Sequence, residues 1–123
     1  MQQSIGDKMQ RATDNIVKHY QTKINGDLQK LHVEEWDMDI YYRNTYSFQD
    51  ESKIVELQAK GLVVDALVQS LIVKARDKDG KRLFHDLDMK RLMTEADPAI
   101  ITRVAGHINN ANQRLSMEQA QKE

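Results

Sequence analysis

Residues 28–43 read LQKLHVEEWDMDIYYR, and their period decides the fold class. Leu31 and Val33 alternate with Lys30, His32 and Glu34. After Glu35-Trp36-Asp37, Met38, Ile40 and Tyr42 alternate with Asp39, Tyr41 and Arg43. A period of two, rich in β-branched and aromatic residues, is the pattern of a strand with one covered face. Two short runs about a tight polar connection predict a β-hairpin. A lone hairpin is marginal in water, so this one needs a helix beneath it or a third strand.

On both sides of the hairpin the period lengthens. In residues 4–24, Ile5, Met9, Ala12, Ile16, Val17, Tyr20 and Ile24 recur at spacings of three and four, which places them on one helical face. Asn25-Gly26-Asp27 supplies the stop. Beyond the hairpin, Ser47 is a helix cap, with Asp50 and Glu51 favourable in the first turn. This helical stretch runs to about residue 75, and Gly61 marks a kink or a division into two helices. After Gly61 come Leu62, Val63, Val64, Leu67, Val68, Leu71, Ile72 and Val73. Their band is wider than a two-position seam and predicts the central core helix. Its β-branched residues have low intrinsic helix propensity, so packing must hold it.

Asp77-Lys78-Asp79-Gly80 is a turn, and Leu83 and Phe84 after it are expected core anchors. Residues 86–95 predict a short helix with Leu87, Leu92 and Met93 inward. Asp97-Pro98 starts the last helix, which carries Ile100, Ile101, Val104, Ala105 and Ile108 on one side. The expected architecture is α+β and mostly helical, with helices packed against one small β-hairpin. Residues 1–112 form a single domain, and 113–123 a polar C-terminal tail that frays from about residue 117.

The totals narrow the function. The chain has 123 residues, enough for one domain, and 18 Lys and Arg against 19 Asp and Glu. That balance is unlike the basic excess of nucleic-acid binders. Lys74, Arg76, Lys78, Lys81 and Arg82 cluster, but Asp77, Asp79 and Asp86 are interleaved and cancel much of the field. There is no cysteine, hence no thiolate chemistry. The polar first 25 residues lack the apolar core of a secretory signal, and no apolar run reaches the roughly 18–20 residues of a membrane span.

Motifs for catalysis or cofactors are not evident. If Gly80 is the sixth residue of a calcium loop, Ala75 falls where the first oxygen ligand is needed. The four histidines, at 19, 32, 85 and 107, make no ligand pair. The carboxylate pairs Glu34/Glu35 and Asp37/Asp39 sit in a turn, without the pocket that acid–base work requires. No phosphate loop, nucleophile elbow or dinucleotide fingerprint is found. The expectation is a non-enzymatic, protein-binding chain with no cofactor.

The order of these elements resembles the tail assembly chaperones of long-tailed bacteriophages. The resemblance spans roughly residues 5–110. Leu31-His32-Val33-Glu34-Glu35-Trp36, followed by Met38-Asp39-Ile40-Tyr41-Tyr42-Arg43, is similar to the family's hairpin. Where such hairpins often carry proline before Glu-Trp, this chain has Glu34. Leu71-Ile72-Val73-Lys74-Ala75-Arg76-Asp77-Lys78-Asp79-Gly80-Lys81-Arg82-Leu83-Phe84 is similar to the family's apolar helix end and following turn. The resemblance implies a holdase that covers apolar helical regions of the tape measure protein until tail-tube subunits polymerise around them. It implies the tape measure protein as main partner, with the tail tube protein as an additional one. Self-association, which could protect or present the wide apolar band of residues 62–73, is a further expectation. It also implies work in the host cytoplasm and absence from the finished virion. The candidate contacts are Leu62, Val63 and Leu67, with Trp36 as a second contact if it does not serve the core.

The competing reading is a small nucleic-acid-binding regulator. A short helix followed by the Asp97-Pro98 helix could mimic a helix-turn-helix, although Arg103, His107 and Arg114 are its only basic candidates.

Overall fold

Strand β1 (Gln29–Val33) pairs antiparallel with β2 (Met38–Tyr42), with Leu31 opposite Ile40 and Val33 opposite Met38. This computed structural model describes residues 3–26 and 28–121, with side chains over 11–26 and 28–110. The hairpin connection is one 3₁₀ turn, Glu34–Trp36, closed by Asp37 at φ 48°. Aspartate tolerates this left-handed backbone better than most residues. The hairpin also gains a partial third strand, because Tyr41 and Arg76 exchange both backbone hydrogen bonds, at 2.9 and 2.7 Å.

Five α-helices complete the described residues: α1 (Gln3–Ile24), α2 (Phe48–Ala59), α3 (Val63–Lys74), α4 (Met89–Glu95) and α5 (Pro98–Gln121). The fold is therefore α+β, mostly helical, with one small hairpin. Gly61 divides α2 from α3. At φ 77° it lets the Gly61 N–H reach Gln58 O at 3.0 Å and the Leu62 N–H reach Leu57 O at 2.9 Å, which satisfies the last carbonyls of α2. Ser47 caps α2 as expected, accepting from the Asp50 N–H at 3.2 Å. Asp97 caps α5, accepting from the Ala99 N–H at 3.0 Å.

The core joins hairpin and helices. Val33, Ile40 and Tyr42 pack with Val68, Leu71, Ile72 and Ala75 of the central stretch and with Ile101, Val104, Ala105 and Ile108 of α5. Arg43 donates to Gly80 O at 3.3 Å, and a Cβ on Gly80 would stand 2.6 Å from the Arg43 guanidinium.

Several expectations need correction. Leu87 was expected inward and is 91% exposed. Residues 86–88 are a 3₁₀ turn, and α4 begins only at Met89. Met89, Leu92 and Ala96, spaced for one helical face, take the inward positions. Leu87 falls opposite that face, and Met93 falls at its edge and is exposed. Leu83 and Phe84 are half-buried and pack on the margin of the core. The α5 backbone stays helical through Gln121, past the residues expected to fray. In α1, Ile16 and Val17 are exposed, while Tyr20 and Ile24 are half-buried; the side chains of Ile5 and Met9 lie outside the described set.

Candidate partner-binding site

Helix α3 carries apolar residues at both ends, but only part of it is covered. Ala66 and every residue from Val68 to Ala75 are buried. The turn that enters the helix is exposed: Leu62 at 44%, Val63 at 68% and Val64 at 63%. Three consecutive apolar residues in water make a candidate contact face where they adjoin further apolar surface. Here they do. Val64 and Leu67 form one wall of a crevice of about 50 Å³, whose other walls are Leu92, Met93, Ala96, Pro98 and Ile101. That volume suits the tip of one aliphatic side chain, and the 62–64 ledge extends the contact beyond it.

Of the expected contact residues, Leu62 and Val63 are exposed and Leu67 is a half-buried wall of the crevice. Trp36 lines no part of the crevice. It is half-buried at the hairpin tip and packs on the core margin. Its neighbour Glu35 is clamped by Arg103 of α5, whose two terminal nitrogens donate to the carboxylate at 2.7 and 2.6 Å. Arg103 holds the Glu35 carboxyl down to about 2. Leu92, Met93 and Pro98 were not singled out as contacts, because nothing in local periodicity brings α4 beside the start of α3.

The opposite end of α3 holds a buried polar network that the sequence does not advertise. Lys74 is buried, and its ammonium lies 2.9 Å from Glu51 and 3.2 Å from Asn109 Oδ1. The Tyr46 hydroxyl donates to Lys74 O at 2.8 Å and accepts from the Arg43 N–H at 2.8 Å. Burial pushes the Tyr46 phenol up to about 12. Asn109 also donates to Ser70 Oγ at 3.2 Å. This arrangement locks α2, α3 and α5 together and presents no open chemistry.

Several of the residues weighed for metal or phosphate binding are engaged locally. Asp77 Oδ1 accepts from the backbone N–H groups of Asp79, at 2.8 Å, and Lys81, at 3.0 Å. The Lys81 N–H holds the Asp77 carboxyl below the usual range. Arg76 and Arg82 each have a carboxylate within 4 Å, from Asp50 and Asp86. Among the described residues no group of three or more His, Asp or Glu could hold a metal ion, and no helix is long and apolar enough to cross a membrane. Comparisons with protein-family models, with curated proteins and with solved structures find no match.

Proposed function

We propose that this chain is a tail assembly chaperone of the long-tailed phage type, a non-catalytic holdase for apolar helical segments of the tape measure protein. The observation that carries this reading is the exposed ledge of Leu62, Val63 and Val64, continuous with the crevice beside Leu67, Leu92 and Met93. An amphipathic helix laid along the ledge would insert one aliphatic side chain into the crevice and cover the rest with its stripe. The resemblance described above supplies the identity of the partner. On the same reading the tail tube protein is a later partner, and the work is done in the host cytoplasm before the virion is complete.

Apolar burial is not screened as charge pairs are, so affinity should depend little on salt. The nucleic-acid reading draws less support. Arg103 is committed to Glu35, and the His107 ring nitrogen Nε2 is within 3.0 Å of the Tyr42 hydroxyl, which leaves α5 few basic groups to offer phosphates.

Co-expression with the cognate tape measure protein tests the proposal. The expected result is that the tape measure protein becomes soluble and co-purifies. Equal insolubility with and without this chain overturns it.

A further inference from the structure

The hydrogen bonds of the sheet show which backbone groups are used and which are not. Tyr41 spends both its N–H and its C=O on Arg76, so its backbone faces away from β1. Along a strand the backbone groups of successive residues point to opposite edges. Ile40 and Tyr42 therefore face β1, where their partners Leu31 and Gln29 bond back to them. Lys30 and His32, set between and beyond those partners, turn their N–H and C=O groups outward. Strand β1 pairs with β2 alone, so this edge is open. Among the described residues, no other backbone group bonds to Lys30 or His32.

The edge is thinly guarded. Proteins commonly block such an edge with proline, a bulge or charged side chains. Strand β1, with sequence QKLHV, has no proline, and its register with β2 runs without a bulge. Lys30 is its one lysine. Leu31, which packs on the margin of the core, is only half-buried here. A further strand would also relieve the marginal stability of a small sheet.

We infer that β1 pairs antiparallel with β1 of a second copy, forming one continuous sheet in the order β2-β1-β1-β2 with Leu31 on the two-fold axis. The register follows by elimination. Outward groups must meet outward groups, so the axis passes through a residue and not between two. An axis at Lys30 sets that cation against itself. An axis at His32 carries Lys30 onto Glu34, where the 3₁₀ turn has begun. An axis at Leu31 pairs Lys30 with His32 twice, and each pair exchanges both backbone bonds. It also brings the two Leu31 side chains together on the side facing the core. Charge agrees with this register. His32 Nδ1 lies 2.7 Å from Asp39 Oδ1. Donation from Nδ1 to Asp39 leaves Nε2 as an acceptor for the Lys30 ammonium of the second copy. Among the described residues of its own molecule, Lys30 has no partner. The strand has 5 residues, fewer than the roughly 20–30 a side of a stable interface, so the dimer is a weak one. It uses neither the 62–64 ledge nor its crevice and does not rest on the tape measure reading.

Sedimentation equilibrium of the full chain up to about 1 mM, a range that reaches weak complexes, is the first test. The mass of the wild-type protein is expected to rise toward that of a dimer. His32→Pro removes an outward N–H and keeps the bonds to β2, a position where an edge strand accepts proline. It should weaken the dimer at least tenfold with circular dichroism unchanged. Cysteine trapping tests the register without relying on that variant. The chain has no cysteine, so a single introduced thiol can bridge only to its own copy. Facing residues of a non-hydrogen-bonded pair stand about 4.5 Å apart at Cα, within disulfide reach. Leu31→Cys should therefore cross-link at least tenfold faster than Gln29→Cys, although Gln29 is the more exposed residue. A wild type that stays monomeric to about 1 mM, a folded His32→Pro that dimerises as well as wild type, or equal cross-linking at 29 and 31 overturns the inference. A monomeric wild type would leave rescue of the tape measure protein unaffected.

Discussion

At the C-terminal end of α3, Leu71 and Ile72 are wholly buried between the hairpin and α5, and Lys74 is buried against Glu51 and Asn109. At its N-terminal end, Val63 and Val64 stand largely in water. The two ends carry similar side chains on one helix, so composition does not set their fates. Cover does. The hairpin, α5 and the Tyr46–Lys74 network close over one end. At the other, α4 and the start of α5 leave a crevice. One end works in folding, and the other is left open for the proposed contact.

Substitution should separate them sharply. Leu71→Ala should cost about 2–5 kcal/mol, the range for deleting a buried leucine side chain. Val63→Asp should change stability by no more than roughly 0.5 kcal/mol, since the site is exposed and an acid suits the first turn of a helix. Denaturant unfolding of both variants measures the contrast, and equal losses would erase it.

A smaller effect is expected at the lock on the buried end. Tyr46→Phe removes the group that donates to Lys74 O and accepts from the Arg43 N–H. Leaving those groups short of a partner should cost about 1–3 kcal/mol. Unchanged unfolding would mean that the network does not hold this end closed.

The smallest effect concerns the hairpin tip. Glu35 has its carboxyl lowered from 4.5 to about 2 by Arg103. A depressed carboxylate pKa contributes stability that is complete above the unfolded value and is lost as pH falls through the folded one. The advantage of wild type over Glu35→Gln should therefore be full at pH 6 and shrink between pH 4.5 and about 2. The pair is solvent-exposed, so the gain should be slight and salt-sensitive. An advantage that grew on acidification would contradict the assignment.

Much of this architecture was legible because period and turn chemistry are local. The alternation in residues 28–43, the Ser47 and Asp97 caps and the interruption at Gly61, readable as a kink or a division, all act within a few residues. What was not legible depends on neighbours distant in sequence. Leu87 looks like a core residue until the 3₁₀ turn rotates it outward. Tyr46 and Lys74 look like surface residues until α2 and α5 enclose them. For the candidate site, Leu62, Val63 and Leu67 were visible as surplus apolar residues on a crowded helix. Leu92, Met93 and Pro98 became part of it only once α4 and α5 were placed. Trp36 was open to either reading, and its half-buried position against the core ties it to the hairpin rather than to the crevice.

Amide hydrogen exchange of this chain, with and without an apolar helical segment of the tape measure protein, tests the binding face most directly. Slowed exchange is expected around residues 62–67 and 92–98, with the hairpin unchanged and with no response to duplex DNA. Protection confined to the hairpin, or protection by DNA instead of the segment, would contradict the assignment of the open end of α3 as the place where the partner is held.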